Sequence, residues 1–298
     1  MDRLETKNKD DIDSSITCNE SEQREDDETI HAKHAKQLAD IEAEVKKQHL
    51  TSELLPLSTL ISYYQSEGSD NFVSGCVYLK EVAGYTSYRR IRGDGNCYFR
   101  AFLYSICEAC ITGAVSSDHI KSLNAKIVQS LDEVCKFGYD RYALEMFHEE
   151  LVELFEFIVA PVGKSDVPRK LEEFHERMNE ENSTSEYCTW FLRVVTASKL
   201  KSDPDRFLMF LDADDSASMM DIPTFCARQV EPMGKECGQC QVLALAETMN
   251  IRVNVEYLDG RKVEKKLMRY EFGPDESDAL VEVTLLYRPG HYDILYKA

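Results

Sequence analysis

Two glycines either side of one aspartate run straight into an apolar helix in the segment Arg92-Gly93-Asp94-Gly95-Asn96-Cys97-Tyr98-Phe99-Arg100. Phe99, Phe102, Leu103, Ile106, Cys107 and Cys110 follow at steps of three and one, the spacing of a buried stripe on one helix. Glycine at 93 and 95 lets the loop turn tightly and approach other backbone closely. Cys97 stands where the helix begins. Free backbone N–H groups and the positive end of the helix dipole meet there, and both favour a thiolate. The same N–H groups suit the oxyanion formed during acyl transfer.

A nucleophilic thiol needs a base, and the histidines differ in how well they serve. His31 and His34 fall in a polar N-terminal stretch with His49 at its edge; His119, His148 and His175 fall on polar or amphipathic helical stretches. His291 alone follows a Pro-Gly turn and opens a strand, in Pro289-Gly290-His291-Tyr292-Asp293-Ile294-Leu295. Side chains two apart on a strand share a face, so Asp293 points the same way as His291. A carboxylate there fixes the imidazole tautomer that leaves one nitrogen free for the thiol proton.

The 298 residues are 43% hydrophobic, enough for one large domain or two ordinary ones. The net charge of −19 argues against nucleic acid or an anionic membrane as partner. Leu54 to Ser66, the longest charge-free run near the N-terminus, is broken by Pro56 and is too short to span a bilayer. The opening has no apolar signal core, and the ten cysteines are scattered, so reduced thiols and a cytoplasmic protein are expected. No clear basic targeting run decides between cytoplasm and nucleus. A monomer is the default expectation.

Residues 1–28 are rich in Asp, Glu, Ser, Asn and Lys and read as an acidic disordered tail. Residues 29–49 read as an amphipathic helical arm carrying Leu38, Ile41 and Val45. Residues 50–298 read as the compact domain. Helices are expected from a cap at Ser117 through Ile120, Leu123, Ile127 and Leu131, from Arg141 to Ile158, and from Ser183 through Val195 with Trp190. Another is expected from Cys237-Gly238-Gln239-Cys240 through Ala246. Ile251 to Tyr257 alternates as a half-buried strand, then a turn at Asp259-Gly260 and a Lys-rich segment that pairs back. Val281 to Tyr287 and His291 to Tyr296 complete the strands. The class is α+β, a helical lobe followed by a mainly antiparallel sheet.

Asp94-Gly95-Asn96-Cys97 with its aromatic helix resembles the nucleophile motif of the ovarian-tumour (OTU) cysteine deubiquitinases. The ending Leu285 to Tyr296, with Ser183 to Tyr187, Phe225-Cys226, Val230 to Met233 and Val255 to Tyr257, resembles the otubain branch in the same order, from about Leu50 onward. The resemblance implies a papain-like cysteine protease fold of OTU type, without a cofactor, that hydrolyses isopeptide bonds to ubiquitin. It implies Cys97 as nucleophile, His291 as general base and then acid, and Asp293 as the orienting acid. Asp94 to Cys97, with Gly95 and Asn96, would form the oxyanion loop; Asp94 assisting His291 directly is the alternative. Gly95, Gly290 and Tyr292 would line a slot for the glycine tail of ubiquitin. The resemblance further implies ubiquitin and polyubiquitin as partners and a preference for the proteasome-targeting linkage. It also implies contact of the 29–49 arm with a second ubiquitin, and binding of ubiquitin-conjugating enzymes.

Two rival readings remain. Cys107/Cys110 and Cys237/Cys240 have the spacing of a four-sulfur zinc site, but both pairs lie on apolar helical patterns, so no metal is expected. The other rival is a non-catalytic binder and inhibitor of ubiquitin-conjugating enzymes.

Overall fold

The computed structural model describes residues 43–211 and 220–297. The chain divides into two units, Met1–Gln48 and His49–Ala298, and the fold below is that of the second. The tail and most of the arm lie outside the described residues; the arm's described end, 43–46, is helical.

The second unit begins with β1 (Leu55–Pro56), α1 (Leu57–Ser66), α2 (Asp70–Glu81) and β2 (Tyr85–Arg89). The helical lobe follows: α3 (Cys97–Thr112), α4 (Ser117–Cys135), α5 (Arg141–Val159), α6 (Val167–Asn179), α7 (Thr184–Ser202) and α8 (Pro204–Leu211). After α9 (Ile222–Phe225) and one π turn come α10 (Gln239–Met249), β3 (Ile251–Tyr257), β4 (Met268–Phe272), β5 (Val281–Arg288) and β6 (His291–Lys297). Among the described residues no helix is long and apolar enough to cross a membrane.

The strands form one sheet in the order β1-β2-β6-β5-β3-β4. Only β3 and β5 run parallel; the other neighbours are antiparallel, as expected from the late strand-rich segment. The last strand, β6, therefore sits between β2 and β5, with Arg288 opposite His291 and Leu286 opposite Asp293. The helical lobe packs on one face through Val253, Val255, Val283, Leu285 and Ile294. Leu57 and Leu60 of α1 and Cys76 and Leu79 of α2 cover Leu286 and Leu295 on the other.

Several expectations shift. Ser116, not Ser117, caps α4: its Oγ accepts from the His119 N–H at 3.2 Å. The Lys-rich segment is loop, and the strand that pairs back begins at Met268. β3 is not half-buried, because Asn254 and Glu256 are as covered as Val253 and Val255. Tyr85 Oη donates to Glu256 Oε1 at 2.9 Å and Asn254 Nδ2 to Glu282 Oε1 at 2.5 Å, while Asn254 Oδ1 has no hydrogen-bond partner among the described residues. The α3 stripe is also wider than its spacing implies: Cys97 to Cys107 are all buried, since sheet and helices pack on every side. β1, α1, α2 and β2 add to the expected elements, although Leu57, Leu60 and Tyr64 of α1 recur at helical steps.

Candidate active site

Cys97 is the first residue of α3 and is 2% exposed. The loop before it is built backbone against backbone. Gly95 has φ +77°, and a Cβ there would lie 2.2 Å from the Gly234 carbonyl oxygen. Asn96 does not cap the helix with its side chain. Its Oδ1 instead accepts from Gly234 N–H at 2.9 Å and from Arg193 Nη2 at 2.8 Å. Arg193, fully buried on α7, also donates to the carbonyls of Gly95 (2.8 Å), Val230 (2.9 Å) and Lys235 (2.7 Å), and lies over the Phe99 ring. Burial without a carboxylate partner brings the Arg193 guanidinium down to about 10.

Asp94 turns away from the histidine. Arg100, three residues along α3 from Cys97 and fully buried, donates to both its oxygens, at 3.1 and 2.9 Å. The Asn96 N–H donates to Asp94 Oδ1 at 2.9 Å. Burial opposes ionisation of Asp94, but Arg100 outweighs it and holds the carboxyl below its usual range. That N–H is thus occupied, whereas the Cys97 N–H, at the first helical position, donates to no acceptor among the described residues.

His291 Nε2 lies 2.8 Å from Asp293 Oδ1. Its other nitrogen, Nδ1, faces the nucleophile loop, where a Cβ at Gly93 would lie 3.6 Å away. The Cys97 thiol neighbours the same imidazole. Burial lowers the imidazole, but Asp293 and then Cys97 override it and raise His291 to about 9. Asp293 is 0% exposed. Its Oδ1 also accepts from the Ile91 N–H at 2.9 Å, and its Oδ2 from Arg288 Nη2 at 2.5 Å.

The structure thus brings Cys97, His291 and Asp293 together from α3 and β6, and gives Asp94 and Asn96 to the bracing of the loop. Gly290 is exposed at the turn before His291, beside the Glu236 carboxylate. Tyr292 is 3% exposed and packs edge-on to Tyr98 and Tyr287, so it backs the site as core and lines no open slot. Beside the turn opens a cavity of about 540 Å³ walled by Gly290, Tyr287, Glu236, Cys237, Phe225 and Phe210. The sequence reading missed Arg100, Arg193 and Arg288. The available signal was a lone cation inside an apolar run, as in Trp190-Phe191-Leu192-Arg193-Val194-Val195. Cys107 and Cys237 are buried thiols pushed well above the ordinary range by desolvation. Among the described residues no three His, Cys, Asp or Glu side chains are grouped to hold a metal ion.

A thiol beside an imidazole that is tied to a buried carboxylate supports acyl transfer through a thioester, and the α+β scaffold that holds it here is that of a cysteine peptidase. The family model described as Peptidase C65 Otubain matches residues 43–297, and the chain belongs to that family. It is 31% identical over 262 residues to human "Ubiquitin thioesterase OTUB1", covering 86% of this chain and 87% of the relative. It is 30% identical over 261 residues to "Ubiquitin thioesterase otubain-like" of Caenorhabditis elegans, covering 88% and 86%. Among solved structures it resembles the h/ceOTUB1-ubiquitin aldehyde-UBC13~Ub complex with a TM-score of 0.75 and 28% identity, over 91% of this chain and 98% of that one.

Proposed function

We propose that this chain is a cysteine-type deubiquitinase that cleaves isopeptide bonds to ubiquitin. The observation that carries the reading is the meeting of Cys97, His291 and Asp293 across α3 and β6. His291 Nδ1 takes the Cys97 proton, and the sulfur attacks the carbonyl carbon at the ubiquitin C-terminus. The oxyanion is held by the Cys97 N–H and the glycine-bracketed loop. As the tetrahedral intermediate collapses, His291 gives its proton to the leaving lysine amine, and a thioester remains on Cys97. Water, deprotonated by His291, then releases the ubiquitin carboxylate and restores the thiol.

Glycine at 93 keeps the approach to Nδ1 open, which suits a substrate whose tail ends in two glycines. The relatives named ubiquitin thioesterases support the substrate class. Preference for the proteasome-targeting linkage and contact of the 29–49 arm with the second ubiquitin belong to the same proposal. A second role, binding ubiquitin-conjugating enzymes, is favoured by the likeness to OTUB1 complexes containing UBC13~Ub and UBCH5B~Ub.

A panel of differently linked di-ubiquitins, with a thiol-reactive ubiquitin probe, tests the reading. Cys97→Ala and His291→Ala are expected to lose cleavage with ubiquitin binding retained, and Asp293→Asn to be damaged less uniformly. Undiminished cleavage by Cys97→Ala would end the enzymatic proposal.

A further inference from the structure

We infer that Arg288 is a positioning residue for this reaction: its guanidinium holds the Asp293 carboxylate charged and aimed at His291. The inference rests on Cys97 and His291 acting as nucleophile and base. Arg288 ends β5, and its Nη2 meets Asp293 Oδ2 at 2.5 Å, leaving Oδ1 to His291 Nε2 at 2.8 Å and the Ile91 N–H at 2.9 Å. The two oxygens therefore have different duties. One is anchored by a fixed cation and the other receives the imidazole.

The need for that cation follows from burial. Asp293 is 0% exposed, and taking a lone carboxylate out of water favours its protonated form. A protonated Asp293 would no longer be the charged acceptor that fixes the His291 tautomer. The groups around it come from several elements. Tyr64 of α1 lies close to both Arg288 and Asp293, Tyr88 of β2 neighbours the carboxylate, and Cys76 of α2 lies near Arg288 and Tyr64. Tyr64 and Tyr88 bring no positive charge. The cations touching Asp293 are His291 and Arg288, and their behaviour through the cycle differs. His291 is neutral each time it has handed its proton to the leaving amine. At that moment Arg288 is the charge that keeps the buried carboxylate from standing unpaired. The nearness of Tyr64 links this anchor to α1.

The test is a pH profile of di-ubiquitin cleavage with kcat and KM separated, for wild type, Arg288→Met, Arg288→Lys and Tyr64→Phe, with each fold checked by circular dichroism. For Arg288→Met the acidic limb is expected to move up by about one pH unit or more, because a carboxyl next to an arginine is held down by about 1–3 units. Its kcat should fall about 10- to 100-fold with KM within about twofold, the pattern of a lost base orienter. Arg288→Lys should recover most of the limb, and Tyr64→Phe should shift it in the same direction but less. A purely structural Arg288 predicts lower stability with the acidic limb unmoved, and that result in a folded Arg288→Met overturns the inference. Should Arg288→Met not fold, Tyr64→Phe decides: an upward shift supports the anchor, and an unmoved limb overturns it. If wild type does not cleave, or Cys97→Ala does, the functional reading fails and takes this inference with it. Cys97-dependent cleavage with an unmoved limb removes Arg288 alone.

Discussion

Gly93 and Gly95 sit two positions apart and do different work. Gly95 is left-handed at φ +77° with the Gly234 backbone where a Cβ would be. A methyl there must displace main chain, and the strain of a non-glycine in that region adds about 1–3 kcal/mol. Gly93 needs no unusual φ, and its added Cβ would rest in ordinary contact with His291 Nδ1 at 3.6 Å. Gly95→Ala is therefore expected to lower the melting temperature clearly and to abolish probe labelling. Gly93→Ala should melt within a few degrees of wild type yet turn over more slowly, because the methyl crowds the nitrogen that serves Cys97. Equal melting temperatures for the two variants would refute the distinction.

Among the elements, α3 and α7 define the site between them. A buried Arg100 in the first turn of α3 is tolerated only where the charge finds partners, and Asp94 and Ser185 supply them. α7 answers with Arg193, which gathers the carbonyls of Gly95, Val230 and Lys235 and the Asn96 amide oxygen. Removing it orphans several buried acceptors, each costing about 1–3 kcal/mol. Arg193→Met is thus expected to lower the urea midpoint by at least about 3 kcal/mol of stability and to slow labelling of Cys97 even where the protein is folded. An unchanged midpoint would show that the loop needs no such brace.

The molecule as a unit should be most stable between two titrations of opposite sign. His291 is raised in the fold to about 9, so its contribution is complete below its ordinary value near 6.5 and is lost as pH climbs through about 9. Burial disfavours charge on Asp94 and Asp293, but Arg100 and Arg288 outweigh it and hold both low. Their contribution is present above the ordinary carboxylate value near 4 and is lost as pH falls through the lower folded values. Melting temperature against pH should therefore show a plateau that drops at both ends, with the rate of ubiquitin-chain cleavage also falling above about pH 9. Asp94→Asn should flatten part of the acidic drop. Stability still rising above pH 9 would contradict the charged His291–Asp293 pair.

Local pattern was enough to read α3, α4, α5, α7, α10 and the last strands, because their apolar spacing or alternation is written residue by residue. It also marked the thiol and the imidazole, since a glycine-bracketed helix start and a turn-strand histidine are local features. The order of the sheet was not written there, because pairing β6 with β2 joins residues some 200 positions apart, as in Tyr88 with Leu295. The partners of the three buried arginines were equally hidden. A cation inside an apolar run announces that acceptors must exist, but only the packed chain chooses which carbonyl or carboxylate arrives.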